Sequence, residues 1–172
     1  MANQPDAAPL RLLPYDVAVA TPWALEAPGA TKRPTPPSYE EVADRIAPST
    51  DPDKWFSPIE LRTANWLRSR GLDVRSIERR EGHLQRTPDA AAAIHRATVE
   101  LKSASGSVNS IIQRIRDGRW QSHHVVVDIR GTDATLTTAE AGIHHALIRY
   151  QGDLEDLVVL VTDDLSVGWS HG

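Results

Sequence analysis

Two acidic residues and a lysine stand at a spacing that can do chemistry. They lie in Thr87-Pro88-Asp89 and Val99-Glu100-Leu101-Lys102-Ser103, with ten residues between Asp89 and Glu100. Alternation along a strand puts Glu100 and Lys102 on one face. A tight turn before that strand would bring Asp89 beside them. Two carboxylates suit a hard cation such as Mg²⁺. A neighbouring ammonium can orient water or neutralise charge developing on a phosphate. The chemistry implied is hydrolysis of a phosphodiester. A plainer reading stands beside it: Pro-Asp punctuates turns, and an exposed Glu–Lys pair is worth little.

The elements needed to position these residues can be read from pattern. Ser57-Pro58-Ile59-Glu60 opens a helix, with a serine cap, a proline in the first turn and a glutamate three after the serine. Ile59, Ala64, Trp66 and Leu67 are its expected apolar stripe, and Gly71 its end. Leu72 to Arg79 reads as a strand, with Val74 and Ile77 pointing inward. Glu81-Gly82-His83 is a turn. Asp89 to Ile94 and Arg96 to Ser103 are the motif strands, although Ala90-Ala91-Ala92-Ala93 is poor strand material. Val108, Ile111, Ile112 and Ile115 make a helix from Ser107 to about Arg119. His124 to Ile129 is a buried strand, Thr138 to Tyr150 a helix with Ile143, Leu147 and Ile148, and Leu157 to Thr162 a second apolar strand. Alternating strands and helices after the motif imply crossovers and parallel pairing. The expected fold is α/β, a three-layer core around a mixed central sheet, ordered α-β-β-β-α-β-α-β. A short helix begins at Ser38, ahead of the core.

Residues 1–38 are rich in proline, from Pro5 to Pro37. Proline excludes long helix and central strand, so residues 1–50 are expected to be extended or partly helical and 51–172 to form the domain. Leu10, Leu12, Leu13, Tyr15, Val17, Val19 and Trp23 could still pack onto it. Charged residues at 24% and apolar residues at 40% suit a globular chain. The absence of cysteine excludes a disulfide scaffold and a thiolate zinc site. No apolar run reaches the length of a membrane span, and Met1 to Ala20 lacks the pattern of a signal peptide.

Charge is segregated along the chain. Residues 51–130 hold 14 Lys/Arg and 10 Asp/Glu, a net of +4, whereas residues 131–172 hold 1 and 7, a net of −6. The basic excess coincides with the motif and would attract a polyanion. Arg79, Arg80, Arg86, Arg96, Arg114, Arg116 and Arg119 are candidate phosphate contacts. Taken singly, each reads first as a solvated surface residue. Trp120 reads as a helix-end anchor or a surface for base stacking. The adjacent pairs His123-His124 and His144-His145 point apart and form no metal motif. His83 or His95, near the motif strands, keeps metal-free RNA cleavage open.

Together these residues resemble the PD-(D/E)XK nuclease superfamily. From Glu60 to Gly131 the order is a helix with glutamate, "GLDV", "RTPD", "VELKS", an amphipathic helix and "QSHHVVVDI". It is similar to the C-terminal tRNase toxin domain of CdiA-type contact-dependent growth-inhibition proteins. The resemblance implies a restriction-endonuclease-like core and a divalent metal, Mg²⁺ first, with Mn²⁺ or Zn²⁺ as alternatives. It implies Asp89 and Glu100 as ligands and Lys102 close to the scissile phosphate. It brings in Glu60 as a third ligand, although Ser57 makes a helix cap an equal account. It brings in Gln121 as a substrate or supporting residue. It also implies tRNA as substrate in preference to DNA, a cognate immunity protein as partner, and action in a cytoplasm reached through a toxin system. The alternatives are a DNA endonuclease of the same fold and an inactive nuclease-like module that binds nucleic acid or protein in a larger assembly.

Overall fold

The computed structural model describes residues 10–12, 34–80 and 87–171. Six strands form one mixed sheet in sequence order: β1 (Val74–Ser76), β2 (Ala90–Ala92), β3 (Ala97–Ser103), β4 (His124–Asp128), β5 (Asp156–Leu160) and β6 (Ser166–Ser170). The β1–β2, β2–β3 and β5–β6 pairs are antiparallel, while β3–β4 and β4–β5 are parallel. The parallel strands β4 and β5 are buried throughout, as their apolar runs require when helices cover both faces.

Helix α2 (Pro58–Ser69) covers one face. Ser57 and Glu60 form a reciprocal capping box with Pro58 in the first turn, and Gly71 takes φ +89° after the last turn, where a side chain would be strained. Ala64, Trp66 and Leu67 pack on Val74, Ala90, Ala92, Val99, Leu101, Val126, Val158 and Leu160. Ile59, expected in this stripe, is 54% exposed instead. It lies one turn too early, above the end of β3 rather than on the sheet.

Helices α3 (Val108–Gly118) and α4 (Leu136–Tyr150) share the opposite face. Ile111 and Ile115 of α3 join Ile143, Ala146 and Leu147 of α4 on the outward sides of β4 and β5. The sheet is therefore a three-layer α/β core, as expected. The two helices meet at Gly142, where an added Cβ would stand 2.6 Å from Ile111 Cγ2.

The last strand, β6, is a correction to the sequence-based expectation, whose final element is the strand Leu157 to Thr162. Val167 and Trp169 alternate into the α3/α4 core, and β6 closes the sheet edge antiparallel to β5. The small polar residues around them hide the pattern.

Part of the proline-rich lead-in belongs to the core. Leu10 and Leu12 are buried beside α2; Leu13 to Trp23 lie outside the described residues. Helix α1 (Tyr39–Val42), capped by Ser38, runs into a 3₁₀ turn at Ala43–Arg45. Ile46 bridges Ile77, and Val42 packs on Ile77 and Ala91. The alanine run is thus strand after all. Ala90, Ala91 and Ala92 are fully buried between α2 and α1, where larger side chains would hold the layers apart. Among the described residues no helix is long and apolar enough to cross a membrane.

Because α4 approaches α3 through Gly142, Gly142→Ala should lose about 1–3 kcal/mol of stability through overpacking. Urea denaturation measures it. An unchanged midpoint would mean that the helices separate at little cost.

Candidate active site

The register of β2 and β3 decides the site. Ala90 pairs with Val99 and Ala91 with Thr98, so one step further Asp89 lies opposite Glu100. Opposed residues of an antiparallel pair share a face, and Lys102 continues that face. The Asp89 amide donates to Glu100 Oε2 at 3.1 Å, and the Leu101 amide donates to Asp89 Oδ2 at 3.1 Å. Both residues are buried, Asp89 at 4% exposure and Glu100 at 0%.

Neighbouring elements hold this pair. Arg45 Nη1 donates to Thr87 Oγ1 at 3.1 Å, and the Ile77 amide donates to the Asp89 carbonyl at 3.1 Å. Together they fix the chain on either side of Pro88. Lys102 Nζ pairs with Glu100 Oε1. Gln121 Nε2 donates to the same oxygen, and Gln121 Oε1 faces Lys102 Nζ at 3.5 Å. Gln121 reaches them because α3 ends against the sheet. A Cβ on Gly118 would stand 3.0 Å from Val125 Cγ1 and 3.5 Å from Glu100 Cγ. The Gln121 and Ser122 amides then bond the Gly118 carbonyl at 2.8 and 3.1 Å, turning the chain toward Glu100.

Glu60 makes the helix cap that the sequence offered, and an ion pair with Arg79 that it did not. Its Oε2 accepts the Ser57 amide at 2.8 Å as a cap, and its Oε1 takes Arg79 Nη2 at 2.6 Å. The same Arg79 nitrogen bonds Asp89 Oδ1. Glu60 therefore joins the cluster through Arg79. That arginine bridge is the feature sequence reasoning missed, having placed Arg79 only as a phosphate contact.

Three carboxyls face two cationic groups, and the imbalance shows in their protonation. Burial pushes the Glu100 carboxyl up to about 8, and the charge of Asp89 adds to this against the opposing pull of Lys102. Burial also raises Asp89, with Glu60 adding and Arg79 and Lys102 opposing. Glu60 differs. Burial raises it, but the Ser57 amide and Arg79 outweigh this and hold it below the ordinary carboxylate range.

A cleft of about 180 Å³ opens beside the cluster, lined by Ser57, Ile59, Glu60, Leu101, Lys102, Ser103 and Arg114. Asp89 and Glu100 connect to it through Glu60 and Lys102. Arg114 has no hydrogen-bond or ion-pair partner among the described residues. The other basic candidates sit elsewhere. Arg80 pairs with Asp44 and Glu78, Arg96 with Glu40, Arg116 with Asp117 and Arg119 with Asp153. Arg86 and His83 lie outside the described residues. His95 occupies the turn at the far end of the β2–β3 hairpin, five residues from Glu100 in sequence and roughly 16 Å away at strand rise. His124 faces Asp156 at 2.9 Å, apart from the site.

A second buried carboxylate, Asp128, ties β4 to α2. It accepts from Thr63 Oγ1 at 3.1 Å, from Arg62 Nη2 at 3.1 Å and from Arg130 Nη2 at 2.7 Å. Its oxygens are taken up by these ties, and it has the character of a structural clamp.

Compared with family models, with curated proteins and with solved structures, the chain finds no match.

Among the described residues no three carboxylate or imidazole groups surround one ion-sized space. The donor set nonetheless suits a Mg²⁺-like ion, which commonly takes only one or two carboxylates and keeps several waters. Asp89 and Glu100 could supply those two, and the Arg79 guanidinium already marks a cationic position between Asp89 and Glu60.

The raised Glu100 carboxyl gives a pH dependence with a definite sign. Between its ordinary value of 4.5 and about 8, the folded chain binds more protons than the unfolded one, so stability falls as pH rises. Urea denaturation of the metal-free chain across that window should show the fall, and Glu100→Gln should flatten it. A wild-type curve as flat as the variant's would mean that Glu100 is ionised at no cost.

Proposed function

We propose that the chain is a metal-dependent endonuclease that hydrolyses phosphodiester bonds, with tRNA as its first substrate class. The observation that carries the reading is the convergence of Asp89, Glu100, Lys102 and Gln121 beside a cleft bearing Arg114, an arginine without a partner among the described residues. A divalent cation bound there, Mg²⁺ in preference to Mn²⁺ or Zn²⁺, would supply Lewis-acid charge and lower the pKa of a water.

The chain's own residues supply the rest. Asp89 and Glu100 present hard oxygens held by strand register rather than by flexible loops. Lys102 stands between Glu100 and the cleft, where its ammonium can donate to a phosphate oxygen or hold a water in line. Gln121 touches both Glu100 and Lys102 and keeps them in one arrangement. Arg114, across the cleft, can pair with a flanking phosphate. The choice of tRNA, delivery to a target cytoplasm and a cognate immunity protein as partner rest on the resemblance to growth-inhibition toxins. A DNA endonuclease would use the same site.

One observation favours a binding module without catalysis. All four oxygens of the Asp89 and Glu100 carboxyls already have a partner within the chain. Incubation of the full chain with total tRNA and with plasmid DNA, each with Mg²⁺ and with chelator, separates the three. Cleavage of tRNA only with Mg²⁺ is expected. Asp89→Ala and Glu100→Ala should cut at least about a hundredfold more slowly while keeping their circular dichroism. Wild-type cutting by either variant would remove the site from the chemistry.

Substrate attraction is open to an independent check. Binding of total tRNA by the Asp89→Ala chain should weaken steeply with salt. Arg114→Glu should weaken it further and lower the slope of log K against log salt by about one. Asp164→Arg, on the β5–β6 turn, should leave the slope unchanged. Equal effects of the two reversals would deny the cleft a role in binding.

A further inference from the structure

We infer that Arg79 is an internal counter-cation that a divalent metal must displace, and that loading the metal turns its guanidinium out toward the polyanion. The inference rests on the metal-dependent reading above and goes beyond it.

One nitrogen, Nη2, carries the whole contact: it lies 2.6 Å from Glu60 Oε1 and bonds Asp89 Oδ1. Asp89 Oδ2 is turned to the Leu101 amide at 3.1 Å. Oδ1 is therefore the oxygen best placed for a cation, and Arg79 has it. The two cannot share that position, because a guanidinium donor and a metal ion repel.

The way Arg79 is held makes it replaceable. Its side chain is 64% exposed, although the Asp89 side chain it reaches is 3% exposed. Among the described residues its Nε and Nη1 have no acceptor. An exposed arginine loses rotamer freedom to keep this geometry and is screened by salt, whereas a divalent ion brings twice the charge to the same oxygens. Once displaced, the planar fork has no carboxylate of its own and matches a phosphate group. Metal and polyanion then each favour the other's binding, and the coupling must be reciprocal.

Calorimetric titration of Mg²⁺ and of Ca²⁺ into the full chain near pH 8 tests this, with Arg79→Gln and Arg79→Met beside the wild type. Removing the competitor should tighten cation binding by about 5- to 30-fold, the factor that one to two kcal/mol makes in an equilibrium. The metal-free variants should melt lower than wild type and gain more in melting temperature on adding Mg²⁺. Ca²⁺ should tighten wild-type binding of total tRNA more than it tightens that of the variants. Variants that bind cation no more tightly than a wild type that does bind would overturn the displacement and leave the metal-dependent reading standing. Absence of cation binding in all three proteins would sink that reading, and this inference with it.

Discussion

Two buried carboxyls held opposite one another across a β-hairpin are the interaction on which the rest of this structure depends. Asp89 and Glu100 face each other because β2 and β3 pair in one register, and slipping that register by one residue would turn Glu100 to the other side of the sheet. Each carboxyl alone would be costly to bury. The cost is offset piecemeal, by the amides of Asp89 and Leu101, by Lys102 and Gln121 on Glu100, and by Arg79 on Asp89. These partners come from separate stretches of the chain: Arg79 after β1, Asp89 just before β2, Leu101 and Lys102 on β3, and Gln121 after α3. The fold is arranged to bring them to one place.

That arrangement fits a site better than a stabilising network. A buried ion pair is seldom a net gain over apolar packing, and here burial, with the charge of Asp89 added, outweighs Lys102 and pushes the Glu100 carboxyl up to about 8. The clamp at Asp128 shows the contrasting case. Burial pushes that carboxyl up, but Arg130 and Arg62 outweigh it and hold it below the usual range. In one cluster the arginines outweigh burial; in the other, burial outweighs Lys102. Elsewhere charge is balanced too: Arg130 with Asp163 at 2.8 Å and Arg119 with Asp153 at 3.4 Å. The basic excess of residues 51–130 is thereby reduced near the site to Arg79, Lys102 and Arg114.

Much of this was legible in the sequence because it depended on local signals. The Ser57–Glu60 box, the Glu100–Lys102 alternation and the apolar runs of β4 and β5 each name their own structure. The α/β core and the meeting of Asp89 with Glu100 followed from them. What stayed hidden depended on distant partners. Arg79 looks like any surface arginine until Glu60, nineteen residues away, and Asp89 are placed around it. The alanine run looked weak as strand because its fitness lies in the small space between α1 and α2. β6 was masked by turn-forming and acidic residues, although the alternation of Val167 and Trp169 carried the signal. Ile59 was misplaced because the capping box sets the helix start but not which side faces the sheet.

The central claim is that the Asp89–Glu100 pair lacks a positive charge that a divalent cation would supply. Carbon-detected NMR titration of the side-chain carboxyls, without and with Mg²⁺, measures this directly. One carboxyl of the pair should titrate near 8 in the metal-free chain, and Mg²⁺ should return it to the ordinary range or below. A pair that titrates in the ordinary carboxylate range without metal, or one whose high value Mg²⁺ leaves untouched, would contradict the account.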